Sequence, residues 1–306
     1  MTLGQLRTFL EVARAGSVKG AAATLSVTEP SVSASVASLR RELGVELVER
    51  VGRGIRPTRA GLELARYAAQ ILGLADRATR AVQETAGDPG HLRLAAVTTA
   101  GEYVVPPLLA TFLDAHPGVK VSLEVANRAG VFGRLLNQEA DLAVGGRPPS
   151  GGDVEGYEFL DNELVVVGGP GRGDGSADPM PGDALSGETW LMREPGSGTR
   201  QTVEEFFSAA GIQPGPVLTI SSNGAIKRAA AVGLGLTMLS MHAAGAEISS
   251  GELCRLNVMS TPLSRPWHVL YRRGAALPPS ASAFLEFLRS APLAELPAAA
   301  GPSSVS

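Results

Sequence analysis

The residues of this sequence whose types and spacing could do chemistry point to the holding of anions, not to bond making. Arg50, Arg53 and Arg56 place three guanidinium groups within seven residues, and guanidinium forks bind phosphate oxygens. Upstream lies a series of small and hydroxyl residues, Thr28, Glu29, Pro30, Ser31, Ser33, Ala34 and Ser38. Short side chains let a helix backbone sit deep in a major groove, with hydroxyls on phosphates or base edges. Two further runs, Thr98-Thr99-Ala100-Gly101 and Glu194-Pro195-Gly196-Ser197-Gly198-Thr199-Arg200, set small hydroxyl residues and glycine at strand-to-helix junctions. Unpaired N–H groups and the helix dipole suit an anion there, and Arg200 adds a fork for a carboxylate or phosphate. Ordinary helix capping accounts for each junction equally well.

Other chemistries find little support. The one cysteine, Cys254, excludes an internal disulfide, and His91, His116, His242 and His268 lack metal-ligand spacing, so neither a structural metal nor a cofactor is expected. No constellation of nucleophile, acid and base is visible, and Ser197 has no histidine close in sequence. The run from Gly168 to Gly175 invites a nucleotide-loop reading. It lacks the Lys-Ser/Thr ending of a phosphate loop, and Ser176 stands where a third spaced glycine would fall, so a surface loop is expected.

Helices must position the first set. Leu6, Phe9, Leu10 and Ala13 recur at helical spacing between Leu3 and Ala15, and Gly16 stops that helix. Ser17 caps a second, short helix carrying Val18, Ala21, Ala22 and Leu25, and Thr28 caps a third in which Pro30 occupies the first turn. Val32, Val36, Leu39 and Leu43 give the third helix its apolar stripe, leaving the small-residue face outward. The alternative is a solvated Ala/Ser-rich helix in a bundle. The segment from Glu42 to Thr58 then reads as a two-stranded wing turned at Gly52 and Gly54, with the three arginines flanking DNA backbone or minor groove. Beyond Thr58 a long helix is expected, and Leu64, Ala68, Ile71, Ala75, Ala78 and Val82 follow an alternating four-three step. A seam of this kind is best satisfied by a second copy and predicts a dimer; packing on the first helix is its competing use. Gly87-Asp88-Pro89-Gly90 ends the helix.

Charge divides along the same border. Residues 1–87 hold 12 Lys and Arg against 8 Asp and Glu, whereas residues 88–306 hold 15 against 22. A positive segment suits double-stranded DNA and an acidic remainder stays off it. No apolar run approaches the roughly 20 residues that cross a bilayer, so no membrane partner and a cytoplasmic location are expected.

The motifs Leu6-Arg7-Thr8-Phe9-Leu10, Gly16-Ser17, Ala21-Ala22, Pro30-Ser31-Val32-Ser33, Glu42-Leu43-Gly44-Val45, Glu49-Arg50 and Pro57-Thr58-Arg59-Ala60-Gly61 together resemble the signature of LysR-type transcriptional regulators. The chain departs from the family's usual residues at Glu29, Ala34, Arg40 and Val48. Glu29 would repel phosphate unless it accepts from a cytosine amino group. The resemblance continues through Pro106-Pro107-Leu108-Leu109, His116-Pro117-Gly118-Val119, Asp141-Leu142-Ala143-Val144 and Gly233-Leu234-Gly235. Thr98 to Gly101, Asn127-Arg128 and the Arg193 to Arg200 run lean toward the regulators of carbon-fixation operons.

The resemblance implies a mixed fold: a winged helix-turn-helix over residues 1–58, a linker and dimerisation helix over 59–88, and an α/β effector domain over 89–293 similar to type II periplasmic binding proteins. Lobe I would hold about 91–162 and 267–293, lobe II about 163–266, and 294–306 would form a disordered tail rich in Ala, Pro and Ser. Seven short apolar strands alternating with helices, among them 102–115 and 131–139, give the second domain an α/β pattern with parallel sheets. By the same resemblance Thr98, Thr99, Asn127, Arg128, Arg147, Ser197, Gly198, Thr199 and Arg200 line the cleft. Arg128 and Arg147 suit a solvated surface equally well. The implied function is a DNA-binding regulator, not an enzyme, whose partners are DNA, a small anionic effector, further copies in a dimer or tetramer, and RNA polymerase. A solute-binding protein or an enzyme on the same two-lobed fold is the competing reading, and it leaves the first 88 residues without a role.

Overall fold

A computed structural model of the chain describes residues 1–52, 54–172 and 178–290; Arg53, residues 173–177 at the end of the glycine run, and the tail beyond 290 lie outside them. Two compact units emerge, the first built mainly of Met1–Asp88 and the second beginning at Pro89.

In the first unit, α1 (Leu3–Ala15) opens with a capping box between Thr2 and Gln5 and closes at Gly16, whose φ of 64° is left-handed. Ser17 caps α2 (Val18–Leu25), and Thr28 caps α3 (Glu29–Leu43), with Pro30 in its first turn. The strands β1 (Val48–Val51) and β2 (Gly54–Pro57) pair antiparallel, setting Glu49 opposite Arg56 and Arg50 opposite Ile55. Two clusters hold the unit together: Val12, Ala21, Ala22 and Val32 join α1, α2 and α3, while Phe9, Leu39 and Leu47 pack with Leu64. Leu43, expected in the α3 stripe, is 41% exposed at the last residue of the helix.

The long helix α4 (Arg59–Thr85) is anchored at its start. Thr58 Oγ1 donates to the Glu46 carbonyl at 2.7 Å and Thr58 N to the Leu47 carbonyl at 3.1 Å. A Cβ on Gly61 would fall on that same Leu47 carbonyl, which is why the residue here has no side chain. The expected seam is divided by this anchoring. Leu64 packs on Phe9 and Leu47, and Ala68 is fully buried, so both serve the unit's own core; Ala75 is half-buried. The exposed row is Tyr67, Ile71, Leu74, Ala78 and Val82, which adds two large apolar residues that the alternating spacing passed over.

The second unit contains two lobes. A five-stranded sheet ordered β4 (Lys120–Ala126), β3 (His91–Val97), β5 (Leu142–Gly145), β13 (Trp267–Arg272), β6 (Val154–Leu160) carries α5 (Thr98–Tyr103), α6 (Val105–Ala115), α7 (Arg128–Leu136) and α11 (Pro279–Ser290). The other lobe has β7 (Glu163–Gly168) between β10 (Thr237–Ser240) and β11 (Cys254–Arg255), with β12 (Leu263–Ser264) also on β7. A parallel pair, β8 (Trp190–Met192) and β9 (Val217–Thr219), joins it alongside α8 (Gly198–Ala210), α9 (Asn223–Ala231) and α10 (Met241–Ser250).

The expectation of parallel sheets needs correction. Among the described residues the ladders of β3 with β4 and β5, and of β8 with β9, are parallel, whereas β13 is antiparallel to β5 and β6 and every strand paired with β7 is antiparallel to it. The chain crosses between lobes after β6 and returns before β13, so the returning strand enters the first sheet reversed. Asn162 and Arg265 tie the two crossings: Asn162 Nδ2 donates to the Arg265 carbonyl at 2.9 Å and Arg265 N to the Asn162 carbonyl at 2.8 Å. The helix expected over 102–115 is two helices. Pro106 and Pro107 supply no N–H to the first turn of α6, and the chain bends at Val104. Likewise α7 starts at Arg128, earlier than the expected 131.

Candidate DNA interface and ligand cleft

Each unit carries one candidate site. On the first, Thr28, Glu29, Pro30, Ser31, Ser33 and Ala34 are exposed along the opening turns of α3. Thr28 Oγ1 accepts from Ser31 N at 3.4 Å, and Glu29 lies in the first turn, where the helix dipole favours a carboxylate. Ser38 departs from this group. It is half-buried, and its hydroxyl accepts from Gln5 Nε2 at 3.0 Å, so it braces α3 against α1. On the wing, Arg56 Nε donates to Glu49 Oε1 at 2.6 Å across the strand pair. Both side chains are largely exposed, and such pairs contribute at most about 1 kcal/mol, so a phosphate can compete for the guanidinium. Arg50 is exposed; Arg53 lies outside the described residues.

In the second unit a cavity of about 830 Å³ opens between the lobes. Thr98, Thr99, Asn127, Arg128, Arg147, Ser197, Gly198 and Thr199 all line it, eight of the nine residues expected there. The α5 start and the α8 start both border it, with Ser197 Oγ capping α8 at Arg200 N. A Cβ on Gly101 would stand 2.6 Å from Val125 Cγ2, so this glycine lets α5 lie close on β4 and hold Thr98 and Thr99 at the opening. Asn127 Oδ1 caps Gly130 N at 2.9 Å, turning the chain into α7. Arg128 Nη2 donates to the Arg147 carbonyl at 2.7 Å, and its guanidinium stacks over Phe132 at 4.7 Å. Burial pushes the pKa of Arg128 below the usual arginine value, the mark of a cation short of solvent.

Arg200, the ninth residue expected there, does not line this cavity. From the flank of α8 it turns away from the cavity: Nη1 donates to the Arg193 carbonyl at 3.0 Å and to Thr219 Oγ1 at 3.3 Å, and Nε donates to Glu204 one turn on at 2.8 Å. It borders a separate shallow depression with Phe132 and Pro195. Arg193 takes its place. Only 4% exposed, it lines the cavity, donating to Thr98 Oγ1 at 3.1 Å and to Glu194 at 2.8 and 3.0 Å. Burial alone would raise the Glu194 pKa; hydrogen bonds from Arg193 and the backbone overcome this and hold it below the usual carboxylate value. Arg193 therefore brings directed donors with its charge already paired.

Sequence reasoning also passed over Trp267, His268 and Arg265, which line the cavity from β13 and the crossing before it, and Asn223 and Glu102 behind Thr99. Asn223 stands just after the cap residue Ser222, a local signal that reads as capping until its burial is known. Four arginines face the cavity against three glutamates, a lining suited to a small anion. Among the described residues no group of His, Cys, Asp or Glu is placed to hold a metal ion, and no helix is long and apolar enough to cross a membrane.

A small-faced helix over an arginine wing, with a two-lobed domain holding a polar cleft, defines a DNA-binding, ligand-responsive regulator. The chain belongs to the LysR family. Residues 3–62 match the model of the bacterial regulatory helix-turn-helix protein, lysR family, and residues 85–292 match the LysR substrate binding domain. It is 38% identical to the HTH-type transcriptional activator CmpR of Synechocystis, over 94% of each chain. It is also 38% identical to the RuBisCO operon transcriptional regulator of Allochromatium vinosum, over 95% of this chain and 96% of that one. These relatives are named as regulators, not enzymes. Among solved structures, the Synechocystis CcmR regulatory domain in complex with 2-PG aligns with a TM-score of 0.61 at 37% identity, covering 65% of this chain and 95% of that one. Full-length CbnR complexed with its target DNA aligns with a TM-score of 0.68 at 25% identity, over 94% and 99% of the two chains.

Proposed function

We propose that this regulator holds a small phosphate- or carboxylate-bearing metabolite in the cleft and changes its DNA-bound geometry when it does so. The observation that carries this reading is the convergence of hydroxyl and backbone donors from Thr98, Thr99 and Ser197 to Thr199 with Arg128, Arg147 and Arg193 on one cavity. Support comes from the CcmR regulatory domain, which holds 2-phosphoglycolate. DNA is read by Thr28 to Ala34 of α3 in the major groove, with Arg50, Arg53 and Arg56 on the backbone beside it. Two copies associate through the exposed row on α4, pair further into a tetramer, and present their α3 helices to the halves of an interrupted palindrome. The protein works in the cytoplasm with RNA polymerase as its downstream partner, and residues 1–58, 59–88 and 89–293 form its reading, linking and sensing parts. Ligand acts only through a difference in affinity between two lobe arrangements.

Calorimetry of the full chain with 2-phosphoglycolate, beside DNA binding with and without it, tests the reading. Saturable binding that alters DNA bending or footprint is expected. Binding of the same compound undiminished by Thr99→Val with Ser197→Ala would remove the cleft from the mechanism. In the DNA-binding part, Ser33→Ala should change operator preference with little effect on nonspecific affinity.

A further inference from the structure

We propose that Asn223 is a positioning residue of the cleft that fixes the hydroxyl of Thr99 as a donor toward the bound anion; the proposal rests on the effector reading above. Asn223 opens α9 in the second lobe and is 1% exposed. Its amide spans the lobes. Oδ1 accepts from Arg193 Nη1 at 2.9 Å, while Nδ2 donates to Thr99 Oγ1 at 3.3 Å and to Glu102 Oε2 at 2.9 Å, both on α5 of the first lobe. An amide nitrogen carries two hydrogens, so Glu102 and Thr99 together use both. Glu102 accepts only, which sets the amide with its nitrogen toward α5 and its oxygen toward the guanidinium.

The polarity of the threonines follows. A hydroxyl whose lone pair is taken by an N–H keeps its own proton for another acceptor. Thr99 accepts from Asn223, and Thr98 accepts from Arg193 Nη2 at 3.1 Å, so both are left with O–H groups to offer. Both residues line the cavity. Groups of the second lobe thus set the donor sense of hydroxyls on the first, which is the sense an anion requires.

Replacing the amide with a carboxylate reverses this arrangement. In Asn223→Asp the side chain can only accept, so Thr99 would donate to it and turn lone pairs toward the anion, and the new charge would face Glu102. The experiment is calorimetry of the full chain with 2-phosphoglycolate for Thr99→Val, Asn223→Asp and the double variant. Thr99→Val should weaken binding roughly tenfold, the loss of one hydrogen bond to a charged group. Asn223→Asp should weaken it at least as much, and adding Thr99→Val to Asn223→Asp should cost nothing further. Losses that multiply would overturn the proposal, because Thr99 would then be donating whatever stands at 223. Asn223→Ser, which removes the amide without adding charge, repeats the cycle should the aspartate variant fold poorly; there Thr99→Val is expected to cost less than in the wild type, because the hydroxyl is no longer held as a donor, and an equal cost would overturn the proposal. If the wild-type chain bound no 2-phosphoglycolate, the effector reading for that class would fall. The positioning role would then be decided by phenylglyoxal modification of Arg193, followed on its peptide. Faster modification in Asn223→Ser than in wild type is expected, and equal rates would overturn it.

Discussion

Replacing Arg128 by Gln tests the electrostatics of the cleft with little change of shape. The guanidinium is partly withdrawn from water, lies over Phe132 at 4.7 Å and spends one N–H on the Arg147 carbonyl at 2.7 Å. Its remaining donors border the cavity, and burial holds its pKa below the usual arginine value, so a bound anion would supply countercharge where water is scarce. Glutamine keeps an uncharged amide and part of the contact with the ring at a half-buried position, so the fold should change little. What disappears is a charge-assisted hydrogen bond to the ligand, about 1.5–3 kcal/mol, or roughly ten- to a hundredfold in Kd. The neighbouring Arg193 cannot substitute for it, since Glu194 already pairs that charge. Calorimetry with 2-phosphoglycolate at two ionic strengths reads the loss, and fluorescence anisotropy on operator DNA should show unchanged affinity without ligand. Equal binding of the metabolite by wild type and Arg128→Gln would refute the reasoning and leave anion binding to the hydroxyl and backbone donors and the other cavity arginines.

Three other outcomes follow from the same structure. Arg56→Ala should weaken binding to all DNA sequences and reduce the slope of log K against log salt by about one, as one phosphate contact is lost; anisotropy titrations across a salt series check this, and an unchanged slope would take Arg56 off the backbone. Ile71→Asp should separate subunits in sedimentation while leaving the first domain folded, because Ile71 is 38% exposed on the α4 row. Ala68→Asp, at a fully buried position, should instead unfold the domain. Lys227 is bound to Glu247, to the Ala243 carbonyl at 2.8 Å and over Tyr103 at 5.1 Å; burial lowers its pKa, but these partners outweigh it and the net value lies above the usual 10.5. Its stabilisation is therefore complete below pH 10.5 and lost as pH rises past the raised value. Thermal melts of Lys227→Met should be lower at neutral pH and fall less steeply above pH 10.5 than wild type, and parallel pH curves would refute the pairing.

Local signals made much of the first unit legible. Thr2, Ser17, Thr28 and Thr58 each stand one residue before a helix whose first turn they cap, and the Pro30 and Gly16 rules act within a few residues. The linker seam was legible only as a period. A four-three spacing fits two adjacent stripes on a helix about equally, and which stripe faces home depends on where the helix is anchored. Thr58 and Gly61 fix that by docking the first turn on the Leu47 carbonyl. The rotation of α4 then carries Leu64 and Ala68 inward and leaves Tyr67 and Leu74 outside.

The cleft shows the converse. Its lining was legible where family motifs quoted it, yet Arg193 and Arg200 sit in one continuous run and it is Arg193 that lines the cavity. A fork beside glycines and hydroxyls looks ready for an anion, and sequence alone says nothing about which way it turns. Arg200 lies half-buried on the flank of α8, within reach of Thr219 and Glu204, and its donors are used there. Arg193 follows β8 directly, so strand geometry drives it between the lobes, where the Glu194 carboxylate, with Asn223 and Thr98, makes its burial tolerable. The same reasoning places Asn223. A polar residue fully buried at the start of a helix must find partners or forfeit stability, and of those it finds, Arg193, Thr99 and Glu102, the first two line the cleft.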